Sequence, residues 1–531
     1  MQRWNGWGDT ETTMDLAAPG QKLLTQRLGP GKPRPDYPQA EFLKTIPKSR
    51  LPSHPLISDD PRLRLKHAHG QSLPDWIDMR TGTLQRFPDG IAWPATTGDI
   101  DVLLKLAAKH NLIVIPYGGG TSVVGHLKPP DDDRPVLSLT LQNLNRLTEL
   151  SPTNRLATFE AGVRGVDLEA QLRAHGFTLG HYPQSFEFST LGGWVVTRSS
   201  GQQSAYYGRI EQLFAGGELI TPRDLIKMPP FPASAAGPDL RQMVLGSEGR
   251  LGILSRATVR ISQMPEQDDV YGLFFPSWEN AQEAVRTIAG SQVRVAMIRL
   301  SNPAETQTNL ALAGHVRQVG MLKAYLRIRR IPADKACMCL IGFIGTKKSV
   351  ASAKGDVFSM CREYRGVNTG KAMGEAWKRN RFQAPYLRNT LWDNGYAVDT
   401  IETAVTWDRV SDTMSRIETT IRNSLALWNE KVHVFSHLSH VYPTGSSIYT
   451  TFVWRLADRP EIMTEQWRTI KQTASQVIVN SGGTISHQHG VGLDHRPFME
   501  AEKGSAGIDT LKAVFAHLDP DQRMNPTKLL P

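Results

Sequence analysis

The heptapeptide Pro116-Tyr117-Gly118-Gly119-Gly120-Thr121-Ser122 constrains this chain more than any other stretch. It follows the apolar run Leu112-Ile113-Val114-Ile115, which reads as a short buried strand. Three consecutive glycines let the backbone turn sharply and leave no Cβ between it and a ligand. Successive N–H groups in such a turn form a nest for an anion, and Thr121 and Ser122 add hydroxyl donors. The whole reads as a diphosphate cradle. It is not the phosphate-loop pattern, because no Gly-Lys-Ser/Thr follows, and it is not the G-x-G-x-x-G fingerprint. An ordinary glycine-rich turn has the same composition, so the motif needs company.

Two later segments supply it. The first holds Gln184, Ser185, Phe186, Glu187, Phe188, Ser189 and Thr190, then Gly192-Gly193-Trp194, then Thr197, Arg198, Ser199 and Ser200. Small and hydroxyl residues let a backbone pass close beside a flat ring and hydrogen-bond to it. The second is Gly246-Ser247-Glu248-Gly249-Arg250-Leu251-Gly252-Ile253-Leu254, another close approach ending in an apolar run. Each alone reads equally as a turn and a strand. Their order and spacing argue for one shared ligand.

At 531 residues the chain is long enough for two or three domains and a large core. No run of about 18 apolar residues exists, so no membrane-spanning helix is expected. The start, Met1-Gln2-Arg3-Trp4-Asn5-Gly6-Trp7-Gly8, lacks the apolar core of a secretory signal. Three cysteines are too few for a disulfide framework, which favours a reducing compartment. Cys337 and Cys339 would share one face of a strand, where packing is their expected role, and no metal is expected. A formal charge of +10 suits an anionic ligand or an anionic lipid surface. No nucleic-acid module appears.

Prolines at 30, 33, 35, 38, 47, 52, 55 and 61 make residues 1–83 an irregular arm. Residues 84–264 alternate strands (112–115, 136–139, 156–163) with helices (102–110, 166–175), an α+β domain built around a cofactor. Residues 265–480 read as a second, cap domain. Trp278, Ala281, Val285 and Ile288 form one helix face behind a Ser277 N-cap. Strands at 293–300, 337–343, 432–435 and 449–454 imply an antiparallel sheet with helices on one side. Residues 481–531 follow Gly482-Gly483 as a glycine turn and short helices that complete the site.

The glycine loop and the two later segments, in this order, resemble the flavin-binding domain of the vanillyl-alcohol oxidase family. Within it the chain is more similar to the alkyldihydroxyacetonephosphate synthases, nearly end to end. The likeness is carried by Trp4-Asn5-Gly6-Trp7-Gly8, Ala68-His69-Gly70, Gly180-His181, Glu187-Phe188-Ser189-Thr190-Leu191-Gly192-Gly193-Trp194, Ile298-Arg299-Leu300, Trp407-Asp408-Arg409-Val410 and Gly490-Val491-Gly492, beside the three glycine segments. The resemblance implies an α+β fold. A two-subdomain FAD-binding domain would be joined to an antiparallel-sheet cap domain and a helical C-terminus. It implies non-covalent FAD on residues 116–122, 184–200 and 246–254. It also implies a redox-neutral exchange by way of flavin N5. The acyl chain of 1-acyl-dihydroxyacetone phosphate would be replaced by a long-chain alcohol, leaving an ether lipid.

By the same resemblance Tyr449 is the proton acceptor and donor, and Arg388 binds the substrate phosphate. Arg299 is a second active-site arginine, and His181 lies near the flavin. An arginine fork suits phosphate because it binds two oxygens at once. A phenol of ordinary pKa about 10 needs a positive charge nearby to work near neutral pH. The bland alternatives are surface ion pairs for the arginines and a structural role for the histidine. The family's three consecutive histidines appear here as His487, Gln488 and His489, and an amide cannot carry a proton. Gln184 likewise replaces an acidic residue.

The rival reading is an FAD-linked 2-hydroxy-acid dehydrogenase. That class carries His-x-Gly-Asp-Gly-Asn-x-x-His and Glu-His-Gly metal motifs. Here His437 and His440 are present, but Gln488 stands where the metal-binding glutamate would be. A flavoprotein scaffold is a third reading. Residues 323–331 mix basic and apolar side chains and read as a solvated face, with peripheral contact on anionic lipid as the alternative. The final Leu529-Leu530-Pro531 is not a peroxisomal signal. A cytoplasmic location, possible membrane association and a homodimer are the expectations.

Overall fold

The computed structural model describes residues 2–531, and three large sheets carry its architecture. The strand expected before the glycine turn is Ile113–Tyr117. It pairs in parallel with Val136–Thr140, which pairs in parallel with Gly90–Ala92, and Ile57–Ser58 closes the edge antiparallel. Strands covered on both faces read as continuous apolar runs, and Val136–Thr140 is buried throughout. The helix Thr97–Lys109 begins in a reciprocal capping box between Thr96 and Asp99. A five-stranded antiparallel sheet follows, in the spatial order Leu147–Ser151, Leu156–Glu160, Ile253–Arg260, Phe214–Ile220, Leu225–Met228.

The second unit is the expected antiparallel sheet. Its order is Val367–Asn368, Gln267–Phe275, Cys337–Gly345, Met297–Ser301, His433–Leu438, Gly445–Arg455, Tyr396–Thr406, with Val441–Tyr442 beside Gly445–Arg455. Side chains alternate across a strand. Cys337, Cys339, Ile341 and Phe343 therefore pack into one core with the helices Trp278–Gly290 and Lys347–Glu363. Met338 packs oppositely, with Leu326 of the helix Val316–Ile328. Helices thus cover both faces, where the sequence suggested one side. The Ser277 hydroxyl accepts the Asn280 N–H, as its N-cap reading required. The three thiols are free and buried, and each serves packing.

Two regions depart from the sequence reading. The proline-rich start is not irregular: it forms Ala18–Leu28, Gln39–Thr45, Pro61–Lys66 and Leu73–Thr81. Of the prolines read as breakers only Pro61 enters a helix, in its first turn where no N–H is needed, and Pro19 and Pro74 do the same; the others lie between the helices. The C-terminal part is not a set of short helices. It holds Met499–Leu518, interrupted only at Gly504, whose φ is +69°. Beyond it the chain returns to the first sheet. Val114 N–H donates to Arg523 O and Asn525 N–H to Val114 O, so residues 523–525 lie beside the strand that feeds the glycine turn. Leu529 N–H then bonds Gly492 O.

Candidate active site

A cavity of about 550 Å3 is lined from all three sheets. Pro116, Tyr117, Gly118, Gly119, Gly120, Thr121 and Ser122 all border it. From the second segment Gln184, Ser185, Ser189, Thr190, Thr197, Ser199 and Ser200 reach it, and from the third Glu248, Gly249, Gly252, Ile253 and Leu254. The remaining predicted residues stand behind the wall. Phe186 stacks on Phe382, with ring centroids 5.0 Å apart. Phe188 backs the glycine turn with its carbonyl, which a Cβ on Gly119 would strike at 1.9 Å. Glu187 is only part-buried and borders no cavity wall, and Leu251 is packed into the core. Arg198 closes a short helix in the left-handed conformation and turns its Nε to Leu245 O. Arg250 reaches Met524 O.

The unpaired polar atoms around the cavity fit a flavin dinucleotide. Ser200 Oγ, Gln488 Oε1 and Asn525 Oδ1 belong to cavity-lining residues, and each is buried without a partner among the described residues. Buried polar atoms are almost always paired, so orphans around one cavity ask for a ligand with complementary polar edges. Gln184 has another partner: its Nε2 donates to Arg381 O, where an acid could only accept.

Arg388 sits in the helix Leu387–Asp393, and its place is set by parts far away in the chain. Asn389 exchanges two 3.0 Å hydrogen bonds with the Trp7 backbone, which docks the Trp-Asn-Gly-Trp-Gly opening beneath this helix. The Arg388 guanidinium lies 4.2 Å over the Trp76 ring and donates Nη1 to Gln71 O. Its Nε and Nη2 have no partner among the described residues. Burial lowers its pKa to about 10, against the pull of Asp399 and Asp75, so it stays cationic at neutral pH. A cation with two buried, idle donors beside the cavity suits an anion.

Across the cavity, Tyr449, Thr451 and Val453 project from Gly445–Arg455, while Phe452 and Trp454 between them point into the core. The Tyr449 hydroxyl donates to Thr400 Oγ1 at 3.2 Å. Burial raises its pKa, and Glu402 and Asp399 add to the rise, so the phenol is neutral at rest. His437 stacks on it at 5.0 Å and His489 stands edge-on at 5.7 Å.

The other expected cations are differently placed. Arg299 is not idle: its Nη2 bonds Glu305 Oε1 at 2.8 Å, and His437 Nδ1 bonds the same oxygen at 2.8 Å. Burial alone would raise the Glu305 pKa, but His437 and Arg299 overcome it and hold it at about 2. His181 and His487 do not line the cavity. His181 lies under Ser199, bonded at 2.8 Å, and burial lowers its pKa to about 3. His487 is bonded to Arg209 and Tyr442, and burial lowers its pKa well below the usual value. These histidines are neutral, so the positive charge comes from arginine. His489 and Gln488 do border the cavity.

Sequence reasoning missed Glu402, Glu305, His126 and Trp76. Glu402 pairs in register with Tyr449, and a buried acid flanked by Ile401 and Thr403 in a strand that also holds Asp399 was its signal. Glu305 looks like any first-turn acid behind an Asn302 cap, so nothing marked it.

Comparison with known proteins agrees with this geometry. Residues 88–226 match the FAD binding domain model, and residues 264–529 match the model of the FAD linked oxidases, C-terminal domain. An alkyldihydroxyacetonephosphate synthase of Dictyostelium discoideum is 31% identical over 100% of this chain and 93% of its own length. A solved alkyldihydroxyacetonephosphate synthase structure superposes with a TM-score of 0.85 at 28% identity, covering 99% of each chain. A glycolate oxidase subunit of Bacillus subtilis (strain 168) is more distant, 24% identical over 85% of this chain and 90% of its own. FAD is the cofactor these matches and this cavity require, and the chain belongs to the alkyldihydroxyacetonephosphate synthase family.

Proposed function

We propose that this enzyme exchanges the acyl chain of a 1-acyl-dihydroxyacetone phosphate for a long-chain alcohol. The observation that carries the reading is Arg388, a half-buried residue whose Nε and Nη2 are buried and unpaired, on a cavity that also holds Tyr449. Those nitrogens match two oxygens of a phosphate. Leu24, Leu312, Leu391, Phe435 and Val453 line the same cavity and suit an alkyl chain. Bound FAD supplies a nucleophilic ring nitrogen and ends the exchange in the redox state in which it began. Residues 116–122, 184–200 and 246–254 hold it non-covalently.

One ester C–O bond breaks and one ether C–O bond forms. The acid leaves as a carboxylate, and the alcohol's proton is the net proton released. Tyr449 moves protons at the reacting carbon. It starts protonated, so it accepts a proton only while passing its own on. Its own proton points to Thr400 Oγ1, and His489, edge-on to the phenol with Nδ1 3.4 Å from the Glu402 carboxylate, is the ring we assign as the next acceptor. Gln488 borders this route without carrying a proton. Arg299, spent on Glu305, orients His437 beneath the phenol ring.

The hydroxy-acid reading needs a cation-binding pair at His437 and His440. The Arg299 guanidinium lies 3.2 Å from His437 Nδ1, where it opposes a second positive charge. Among the described residues no helix is long and apolar enough to cross a membrane. Val316, Met321 and Ile328 are exposed along one helix beside Lys323, Arg327 and Arg329, which supports peripheral contact with anionic lipid. Sedimentation with and without vesicles reads that contact, and reads the expected homodimer.

The test supplies palmitoyl-dihydroxyacetone phosphate and hexadecanol with no electron acceptor. Release of palmitate is expected. Dye reduction by D-lactate, glycolate or D-2-hydroxyglutarate without palmitate release would transfer the assignment to the dehydrogenase class.

A further inference from the structure

We infer that Glu248 couples FAD binding to the placement of the catalytic loop 487–492, acting through His126 and Ser122. The inference rests on the FAD reading above.

The loop is slung between two buried carboxylates from different units. On the cap side, Glu402 Oε1 accepts the backbone N–H groups of Gln488 and His489, both at 2.7 Å. On the other side, Glu248 accepts those of Val491 and Gly492 at 2.5 and 2.9 Å. Both acids are nearly fully buried, at 2% and 5% exposed. A charged acceptor for paired backbone donors is a strong restraint where water is excluded.

Glu248 is also tied to the diphosphate cradle. Its Oε2 stands 2.9 Å from His126 Nε2, a close polar contact without hydrogen-bond geometry, and His126 Nδ1 is hydrogen-bonded at 2.8 Å to Ser122 Oγ, the last residue of the glycine turn. The two turns touch directly. Gly490 has φ +85°, and a Cβ there would lie 2.8 Å from Glu248 Oε1 and 3.0 Å from His126 Cε1. A Cβ on Gly492 would lie 2.0 Å from Val124 O, and Leu493 N–H bonds that same oxygen at 2.9 Å. An anion on the cradle fixes Ser122, and a fixed Ser122 holds His126 against Glu248. Glu248 then holds the amides just after His489. A binding coupling of this kind is reciprocal, so a loosened loop weakens the cofactor's hold by the same factor. Glu248 is thus a positioning residue, since it acts on His489 only through the backbone.

The test is hydrogen–deuterium exchange across residues 484–495 in protein with and without FAD, flavin absorbance being read on every sample. In the unaltered protein FAD slows exchange at Val491 and Gly492 by about tenfold or more, the range of ordinary coupling. In Glu248→Gln, at saturating FAD, that difference shrinks below about twofold and FAD binds about tenfold more weakly. Glu402→Gln speeds exchange at Gln488 and His489 in both states and leaves the FAD-dependent difference at Val491 and Gly492 in place. His126→Gln keeps both carboxylates, cuts the link and also loses the difference, so it serves if Glu248→Gln does not fold. A merely structural Glu248 would leave the FAD-dependent difference intact. Full FAD-dependent protection in both the Glu248 and His126 variants overturns the inference, as does none in the unaltered protein. A protein that takes up no flavin removes the cofactor reading itself, and this inference with it.

Discussion

Replacing Arg388 by lysine keeps a positive charge and therefore isolates what the guanidinium adds. Its Nε and Nη2 are the idle donors, and an ammonium in its place presents one point charge in place of that fork. Losing one charge-assisted hydrogen bond to a phosphate costs about 1.5–3 kcal/mol, or about 10–150-fold in kcat/KM at pH 7. The structure adds a pH signature. Burial brings the Arg388 guanidinium down from 12.5 to about 10. An ammonium starts from a lower ordinary pKa, and burial acts on it in the same direction, so it loses its charge at a lower pH than the guanidinium. Only the protonated form holds the phosphate, so activity is present below that value and lost as pH rises through it. The Arg388→Lys variant should therefore lose kcat/KM at a lower pH than the unaltered enzyme, which holds until about pH 10. Palmitate release measured from pH 6.5 to 10 decides it. Superimposed profiles would refute the argument, as would an Arg388→Ala variant with unchanged kcat/KM.

Tyr449→Phe removes only the hydroxyl, so flavin absorbance should persist while kcat falls by about 10²–10⁴; full turnover would discard the proton role. Glu305→Gln leaves Arg299 and His437 facing each other without their shared carboxylate, and denaturant titration should show a loss of about 3–5 kcal/mol. Glu305 titrates at about 2 when folded against 4.5 ordinarily. Its contribution is therefore present above pH 4.5 and lost as pH falls through 2, and the variant's Tm should be flatter across that window. Gln488→His should preserve or raise palmitate release, because a titratable ring then borders the proton route; loss of exchange would show that the amide itself is needed.

Local patterns were legible where local physics decides. The apolar run before the glycine turn, the Ser277 cap and the Cys337/Cys339 alternation each follow from neighbours a few residues away. The site was legible only in part. Arg388 and Tyr449 were identified through family motifs, and nothing local marked Arg388 as idle. That depends on Gln71, Trp76 and Trp7, more than 300 residues earlier, taking one nitrogen and leaving two. His181 and His487 lie behind the cavity wall, His181 bonded to Ser199 and His487 to Arg209, which no local pattern marked. Glu305 carried no signal, since an acid behind an asparagine cap is what any helix start presents. The proline-rich start misled for a related reason: composition records how many prolines there are, while helix formation depends on which turn each occupies.

The pairing of residues 523–525 with the strand that feeds the glycine turn orders events at the ribosome. The cradle is translated early, but Arg523, Asn525 and Leu529 complete its surroundings. At about 5–20 residues per second, the interval between Leu254 and Leu530 lasts roughly 14–55 s. During that time Val114 lacks the two backbone partners that Arg523 and Asn525 give it. A site that needs these residues cannot close before they are made, and a chain truncated before Arg523 should not become flavin-protected against protease.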